Sequence, residues 1–353
     1  MTSTDGRPHP ETPPITPAAS PPPHVAQERP DLSSVTETLQ AIESNIRQVV
    51  AGKPEVARLA VIALLAEGHL LIEDVPGVGK TMLARALARS IDCSVSRVQF
   101  TPDLLPSDVT GMTVYSQESG GFSFRPGPVF ANIVLGDEIN RAGPKTQSSL
   151  LESMEERTVT IDGTTHELAQ PFMVIATQNP IELEGTFALP EAQRDRFLMR
   201  ISIGYPHQDD ELEILRTHGR GDPLAALDPV CDAAAIATAI KLIRTVHVSE
   251  AIERYVIAVC RATRSHPETE LGASPRASLA LLRASRAYAA VLGRDYVVPD
   301  DVKAMAPHVL PHRLLLIPDA ELAGHQPADV VADVLDGVPA PTEPTPAAST
   351  SSA

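Results

Sequence analysis

Residues 74 to 81 read Asp74-Val75-Pro76-Gly77-Val78-Gly79-Lys80-Thr81, after the apolar run Leu70, Leu71, Ile72 and before a helical stretch from Met82 to Ser90. A strand that empties into a glycine-rich turn and resumes as a helix is the layout of a phosphate-binding loop. The glycines let the backbone turn its N–H groups toward phosphates, and the helix N-terminus adds positive potential. Lys80 then reaches the terminal phosphates of a nucleoside triphosphate, and Thr81 ligates Mg²⁺. The competing reading, a chance Gly-Lys-Thr in a turn, leaves the strand before it and the helix after it unexplained.

Asp74 departs from the usual G-x-x-x-x-G-K-[ST] spacing, because it stands where the first glycine is expected. Aspartate tolerates left-handed backbone better than most residues, so the loop survives the exchange. Pro76 removes one N–H and leaves the amides of Gly77 through Thr81 as the main cradle. The candidate nucleotide-binding residues are therefore Asp74, Val75, Pro76, Gly77, Val78, Gly79, Lys80, Thr81 and Met82.

A chain of 353 residues can bury a large core and should hold about two ordered domains. Both ends differ from the middle. Met1 to Pro30 is crowded with Pro, Ser and Thr, and the last residues from Pro339 are mostly Pro, Ala, Thr and Ser, too little apolar surface to offset ordering entropy. The expected division is a disordered tail at 1–30, an α/β nucleotide-binding domain at 31–204, a helical lid domain at 205–335 and a second tail at 336–353. The net charge of −16, 3% aromatics and absence of tryptophan disfavour direct work on nucleic acid, which wants a basic stripe or stacking rings. Cys93, Cys231 and Cys260 form no ligand-spaced pair, so a reduced cytoplasmic protein is expected. The N-terminus shows no apolar signal core, and Leu59 to Ala66 is too short for a membrane span.

Asp31 to Ala66 reads as helices, with Ser33 or Ser34 as first cap and Val56, Leu59, Ala60, Ala63 and Leu64 as an apolar stripe. Strand-like runs recur at Arg97–Phe100, Ile133–Asp137, Phe172–Thr177 and Met199–Ile203, each separated by enough chain for a helix. That alternation describes a parallel sheet covered by helices on both faces. Met112–Phe124 and Thr158–Leu168 read as two inserted β-hairpins, placed where they can touch a substrate. After Pro206 the pattern turns helical: 209–218, 232–246, 249–265, 275–292 and 299–306. Ser249 and Ser274 are N-caps, Pro275 opens a first turn and Gly293 follows a helix end.

Ile133-Val134-Leu135-Gly136-Asp137-Glu138 is an apolar strand ending in two acids, placed downstream of the phosphate loop as a Walker B segment should be. Asp137 would hold Mg²⁺ through its water shell, and Glu138 would orient and deprotonate the attacking water. The next strand runs into Gln178-Asn179-Pro180, which sets a polar amide beside those acids, where Asn179 can sense the γ-phosphate. Glu155, Glu156 and His166 read as a solvated face.

The order of loop, acidic strand, amide-ended strand and helical domain resembles the AAA+ ATPases. The segments 99–108 (Gln-Phe-Thr-Pro-Asp-Leu-Leu-Pro-Ser-Asp), 126–128 (Pro-Gly-Pro), 137–142 (Asp-Glu-Ile-Asn-Arg-Ala) and 189–193 (Leu-Pro-Glu-Ala-Gln) are similar to their MoxR branch, over roughly Val49 to His312. Even Asp74 fits, since MoxR-type loops characteristically read Glu-Asp-Val-Pro-Gly here. The resemblance implies a P-loop NTPase sheet sandwiched by helices, two β-hairpin insertions and an all-α lid, with ATP and Mg²⁺ as ligands. It implies that Arg196 is an arginine finger reaching the neighbouring subunit's nucleotide, and that Arg276 is the lid-borne sensor 2. An intrasubunit salt bridge of Arg196 with Asp195 or Glu191 is the alternative, and Arg194 is the rival finger.

It also implies a homo-oligomer, a hexameric ring, with MgATP between sheet domain and lid, so that hydrolysis changes the angle between them and moves a client protein. MoxR-type ATPases look like maturation chaperones that activate enzymes or insert cofactors or metals, often alongside a von Willebrand A domain protein. Two other functions compete: a nucleic-acid motor, and a nucleotide-gated scaffold that scarcely hydrolyses ATP. The intact set Glu138, Asn179 and Arg196 argues against the scaffold.

Overall fold

The computed structural model describes residues 32–75, 77–117, 120–179, 186–218 and 222–341. Pro76 of the loop, the tail at 1–30 and residues 342–353 of the second tail lie outside the described residues. The chain begins with α1 (Ser33–Val49) and α2 (Pro54–Leu65), followed by β1 (Leu70–Glu73), α3 (Lys80–Ser90) and β2 (Val95–Gln99). Next come α4 (Pro106–Thr110), a hairpin of β3 (Gly111–Ser116) and β4 (Gly121–Pro126), then β5 (Ile133–Asp137) and α5 (Pro144–Glu156). A second hairpin, β6 (Thr158–Ile161) and β7 (Thr164–Glu167), precedes β8 (Met173–Gln178), α6 (Glu191–Arg194) and β9 (Met199–Ile201). The rest is mostly helical: α7 (Gln208–His218), α8 (Ala233–Ile243), α9 (Glu250–Ser265), α10 (Pro275–Val291) and α11 (Pro299–Val309). A small ladder, β10 (Thr269–Leu271) with β11 (Leu315–Leu316), and the helices α12 (Pro318–Leu322) and α13 (Pro327–Gly337) complete it. The helical region thus runs through Gly337, past the limit of 335 read from the sequence.

The central sheet has the order β2-β5-β8-β1-β9 with every neighbouring pair parallel. Such a sheet is buried on both faces, and alternate residues of one strand serve different layers. Leu70, Ile72, Leu135 and Ile175 join one apolar cluster with α1, α2 and α3, while Leu71, Val134, Val174 and Phe100 join another under α5. The first cluster continues without a break into the helical region, through Ile240, Val256, Ala277 and Leu281. Full burial of each large apolar side chain contributes roughly 1.5–3 kcal/mol, so β1, whose Leu70, Leu71 and Ile72 are wholly buried, is among the best-anchored strands of the sheet.

The caps at Ser249 and Ser274 form as expected: their hydroxyls accept from the N–H groups of Ile252 and Ala277. The first helix differs, because Leu32 is its N-cap and no side chain caps it, so Ser33 and Ser34 lie inside the helix. Thr36 instead turns its hydroxyl back onto the carbonyls of Leu32 and Ala290.

The two hairpins stand side by side. Phe124 of β4 stacks on His166 of β7 with ring centroids 4.2 Å apart, and Phe130 meets both edge-on. His166 is therefore not on a solvated face; an aromatic partner covers it. Phe122 stays 77% exposed, with Tyr115 across the ladder at 5.3 Å.

Candidate functional site

Because all five strands run one way, the sheet has a carboxyl edge and an amino edge, and the residues singled out from the sequence divide between them. At the carboxyl edge, β1 opens into the loop. Gly77 and Gly79 take left-handed φ angles of +86° and +95°, and a side chain added at either would meet nothing within 4 Å. The turn is glycine-rich for its backbone, and its concave side is open to a ligand. α3 starts at Lys80 with Gly79 as N-cap and no side chain over its first N–H groups, which leaves that end suited to an anion. Lys80 is nearly buried and donates to the Asp74 carbonyl at 2.7 Å, folding its ammonium over the loop.

Asp74 has a use that the sequence reading missed. Its Oδ2 accepts from the N–H groups of Ile203 (2.7 Å) and Gly204 (2.6 Å) and from the Ser202 hydroxyl (3.0 Å), and Oδ1 accepts from Val75 N–H (2.9 Å). Burial pushes this carboxyl up, but the hydrogen bonds from Gly204, Ser202, Val75 and Ile203 together outweigh it and hold it below the ordinary carboxylate value. An acid in the first-glycine position thus ties the loop to the turn after β9. Beside that turn lies an apolar cleft of about 180 Å³ lined by Val49, Val50, Val78, Met82, Ile203 and Ile214.

Strand register brings the acids into place. Asp137 pairs with Gln99, and Gly136 pairs with Ala176, so Asp137 comes beside Thr177. The Thr177 hydroxyl donates to Asp137 Oδ1 at 2.6 Å and accepts the Glu138 N–H at 2.9 Å. Arg97 holds Asp137 Oδ2 at 2.7 Å, while Glu138 Oε2 accepts from Gln99 (2.9 Å) and Arg141 (3.2 Å). Glu138 carries a left-handed backbone, φ 57°, a conformation that costs a non-glycine residue roughly 1–3 kcal/mol and collects at functional positions. Asn179 is buried one step past Gln178, which pairs with Glu73 of β1, so it lies between the acids and the loop. Thr177, Arg97, Gln99 and Arg141 have no site role in the sequence expectations; the first three become visible as partners only once the strand register is known, and Arg141 only through the turn that follows Glu138.

Arg196 and Arg276 are not at this edge. They line a cleft of about 300 Å³ with Glu67, His69, Met154 and Leu198, residues that precede β1 and β9 or end α5, and so belong to the amino edge. Roughly 13 Å of strand, four residues at ~3.3 Å each, separates that edge from the phosphate loop. The helical region therefore does not bring Arg276 over the loop of its own chain. Arg196 Nε lies 3.3 Å from Glu155 Oε2, and Arg276 pairs with Glu155 Oε1. The expected alternative partners are engaged elsewhere: Asp195 accepts from Arg313 (2.8 Å) and Ser274 (3.0 Å), and Glu191 pairs with the rival Arg194 at 3.5 Å. Glu155, read above as lying on a solvated face, is the acid that joins the two arginines.

The fold and the loop define a phosphate-loop α/β nucleotide-binding protein. Comparison with known proteins narrows the class: residues 69–199 match the ATPase family associated with various cellular activities, and residues 261–334 match the AAA lid domain. The chain is 49% identical over 304 residues to the uncharacterised protein YeaC of Bacillus subtilis, covering 86% of this chain and 95% of that one. It is 41% identical to the chaperone MoxR1 of Mycobacterium tuberculosis (88% and 84% covered) and 35% identical to protein MoxR of Methylorubrum extorquens (85% and 94% covered). The crystal structure of a presumed ATPase from Cytophaga hutchinsonii superposes with a TM-score of 0.83 at 37% identity, over 88% of this chain and 97% of that one. The chain belongs to the MoxR family of AAA+ ATPases.

Proposed function

We propose that this chain hydrolyses MgATP in a ring of identical subunits, each nucleotide being completed by the neighbour, and uses the cycle to remodel a client protein. The observation that carries the reading is the division of the site: Lys80, Asp137, Glu138 and Asn179 at one edge of the sheet, Arg196 and Arg276 at the other. A ring stacks one subunit's amino edge against the next one's carboxyl edge, and an isolated subunit lacks the second half.

The residues at the carboxyl edge fit the nucleotide. The loop amides from Gly77 to Thr81 and the Lys80 ammonium would hold the phosphates, and the cleft beside Val50, Met82 and Ile203 would take the base. Thr81 and Asp137 would hold Mg²⁺, a cation that keeps most of its water and needs few protein ligands. Bound MgATP supplies the transferable phosphoryl group and the neutralisation of its charge. Glu138 takes the proton from water at its carboxylate, which Gln99 and Arg141 hold in place, and Asn179 orients that water. Arg196 and Arg276 of the adjoining subunit stabilise the charge that develops on the transferred group.

Several features support the rest of the reading. The name of the Mycobacterium relative, a chaperone, supports a protein client, and the exposed Phe122 and Tyr115 of the first hairpin suit contact with one. A von Willebrand A domain protein is the second partner that the family suggests, and a hexamer the ring size. A cytoplasmic location is supported by the free thiols of Cys93, Cys231 and Cys260. Among the described residues no helix is long and apolar enough to cross a membrane.

Glu138→Gln tests the function directly. The variant should keep ATP, accumulate as assembled rings and enrich a client detectable by mass spectrometry of co-purifying protein; turnover at the normal rate would count against the reading.

A further inference from the structure

We infer that Glu155 is a positioning residue for the two donated arginines: its carboxylate fixes the spacing and aim of Arg196 and Arg276 before the neighbour's nucleotide arrives. The inference rests on the proposed division of the site between subunits.

The two guanidinium groups come from separate regions of the chain. Arg196 follows the short helix α6 on the sheet side, and Arg276 sits in the first turn of α10 in the helical region. Two permanent positive charges brought this close repel each other, and neither has enough backbone restraint to hold its long side chain in one rotamer. Glu155 offers one oxygen to each: Oε2 to Arg196 at 3.3 Å and Oε1 to Arg276. A carboxylate presents two acceptors on a rigid plane, so this sharing sets both the distance between the arginines and their direction.

The backbone on either side of the half-exposed Glu155 is held in place. The preceding residue, Met154, is buried, and its carbonyl accepts the Nε2–H of His69 at 3.0 Å. Nδ1 of the same ring accepts the Val174 N–H, also at 3.0 Å, so the neutral imidazole ties the end of α5 to β8. Two residues on, Arg157 is pinned to Glu67 at 2.7 Å. The other acids of the cleft are occupied: Glu67 holds Arg157 and Arg244, and Asp195 holds Arg313 and Ser274. Among the described residues Glu155 is the acid that serves both Arg196 and Arg276.

The consequence is a residue that never meets this subunit's own nucleotide and governs its neighbour's. Glu155→Gln keeps the shape but replaces one acceptor oxygen by an NH₂ donor, which turns one arginine away. In the full-length assembled protein, kcat should fall at least tenfold, as misplacement of a reacting partner by about 1 Å does, with KM for ATP within threefold of wild type. Nucleotide binding to dispersed subunits, read with a fluorescent ATP analogue, should stay within twofold and also reports that the variant is folded.

Mixing then separates donor from acceptor. Glu155→Gln subunits mixed with Glu138→Gln subunits should recover activity, because the latter donate intact arginines to intact loops. Mixed with Arg196→Ala they should not, because both defects lie on the donating side. In an Arg196→Ala, Arg276→Ala background, Glu155→Gln should change nothing further. A Glu155→Gln protein with kcat within twofold of wild type, or one rescued by Arg196→Ala, or one rescued by neither partner despite co-assembly, overturns the inference. If Arg196→Ala itself keeps full activity, the divided site fails and Glu155 falls with it; if only Glu155→Gln does, the divided site stands.

Discussion

At the carboxyl edge of the sheet the two acids each have several partners within the chain, Asp137 in Arg97 and Thr177, Glu138 in Gln99 and Arg141; at the amino edge two arginines share one acid. Arg97, Gln99 and Thr177 lie on strands neighbouring β5, so backbone pairing fixes them as soon as the sheet forms, and Arg141 follows Glu138 in the turn after β5. The second is gathered from α5, the turn after α6 and the start of α10, and depends on the docking of the helical region. Each half is therefore vulnerable in its own way: the carboxyl edge to changes in local chemistry, the amino edge to changes in assembly.

The largest test of that contrast is Arg196→Ala. Donated arginines are typically worth ~10³–10⁵ in rate, about 4–7 kcal/mol, so phosphate release by the assembled protein should collapse while ATP affinity of dispersed subunits stays within twofold. Loss of affinity in dispersed subunits would place Arg196 on its own chain's nucleotide and abolish the distinction between edges.

A second test works within the amino edge, on the ring that ties the end of α5 to β8. Burial pushes His69 down to about 4, helped by the nearby charge of Arg157 against the opposing Met154 carbonyl. Unfolded, the ring takes its proton near pH 6.5, so its contribution is whole above that pH and is lost as pH falls through 4; the full shift is worth about 3 kcal/mol. Urea midpoints measured between pH 7 and pH 4 should fall more steeply for wild type than for His69→Gln, which cannot titrate. Parallel curves would show that this ring does not link α5 to the sheet.

Asp74→Asn should have a smaller effect, confined to the carboxyl edge. An amide oxygen accepts more weakly than a carboxylate, and loss of one charge-assisted bond costs about 1.5 kcal/mol, close to tenfold. Calorimetry should find ATP affinity reduced by about that factor, with the amino edge untouched and kcat at saturation nearly unchanged. Equal affinity would separate the loop from the turn after β9.

Phe122→Ala should be the mildest of all. The side chain is exposed, so basal hydrolysis should be unchanged and stability should move by less than about 0.5 kcal/mol in a thermal melt. A large loss would mean that the hairpin tip packs within the assembly.

The sequence carried the carboxyl edge well. Hydrophobic runs marked β5 and β8, the glycine-rich turn between strand and helix marked Lys80, and the two acids after Leu135-Gly136 marked the strand end, all of them local signals. The partners of those acids were illegible, because which residue of β2 or β8 faces Asp137 is a matter of register, and no spacing within one strand reveals it. Glu155 was illegible for a stronger reason. Its partners are 41 and 121 residues away in sequence, and an acid on the last turn of a surface helix looks like any solvated one. Asp74 was seen as a departure from the glycine pattern, yet its reason lay in backbone N–H groups 129 and 130 residues on.

The Phe124–His166 stack makes the two hairpins mechanically one piece in the direction across their ladders. β6 leaves α5 after the single residue Arg157, so the second hairpin is joined almost directly to the turn that bears Glu155. A pull at the exposed tip of the first finger must therefore either unstack the Phe124 and His166 rings or be felt at the root of the second, next to the acid that sets the arginines.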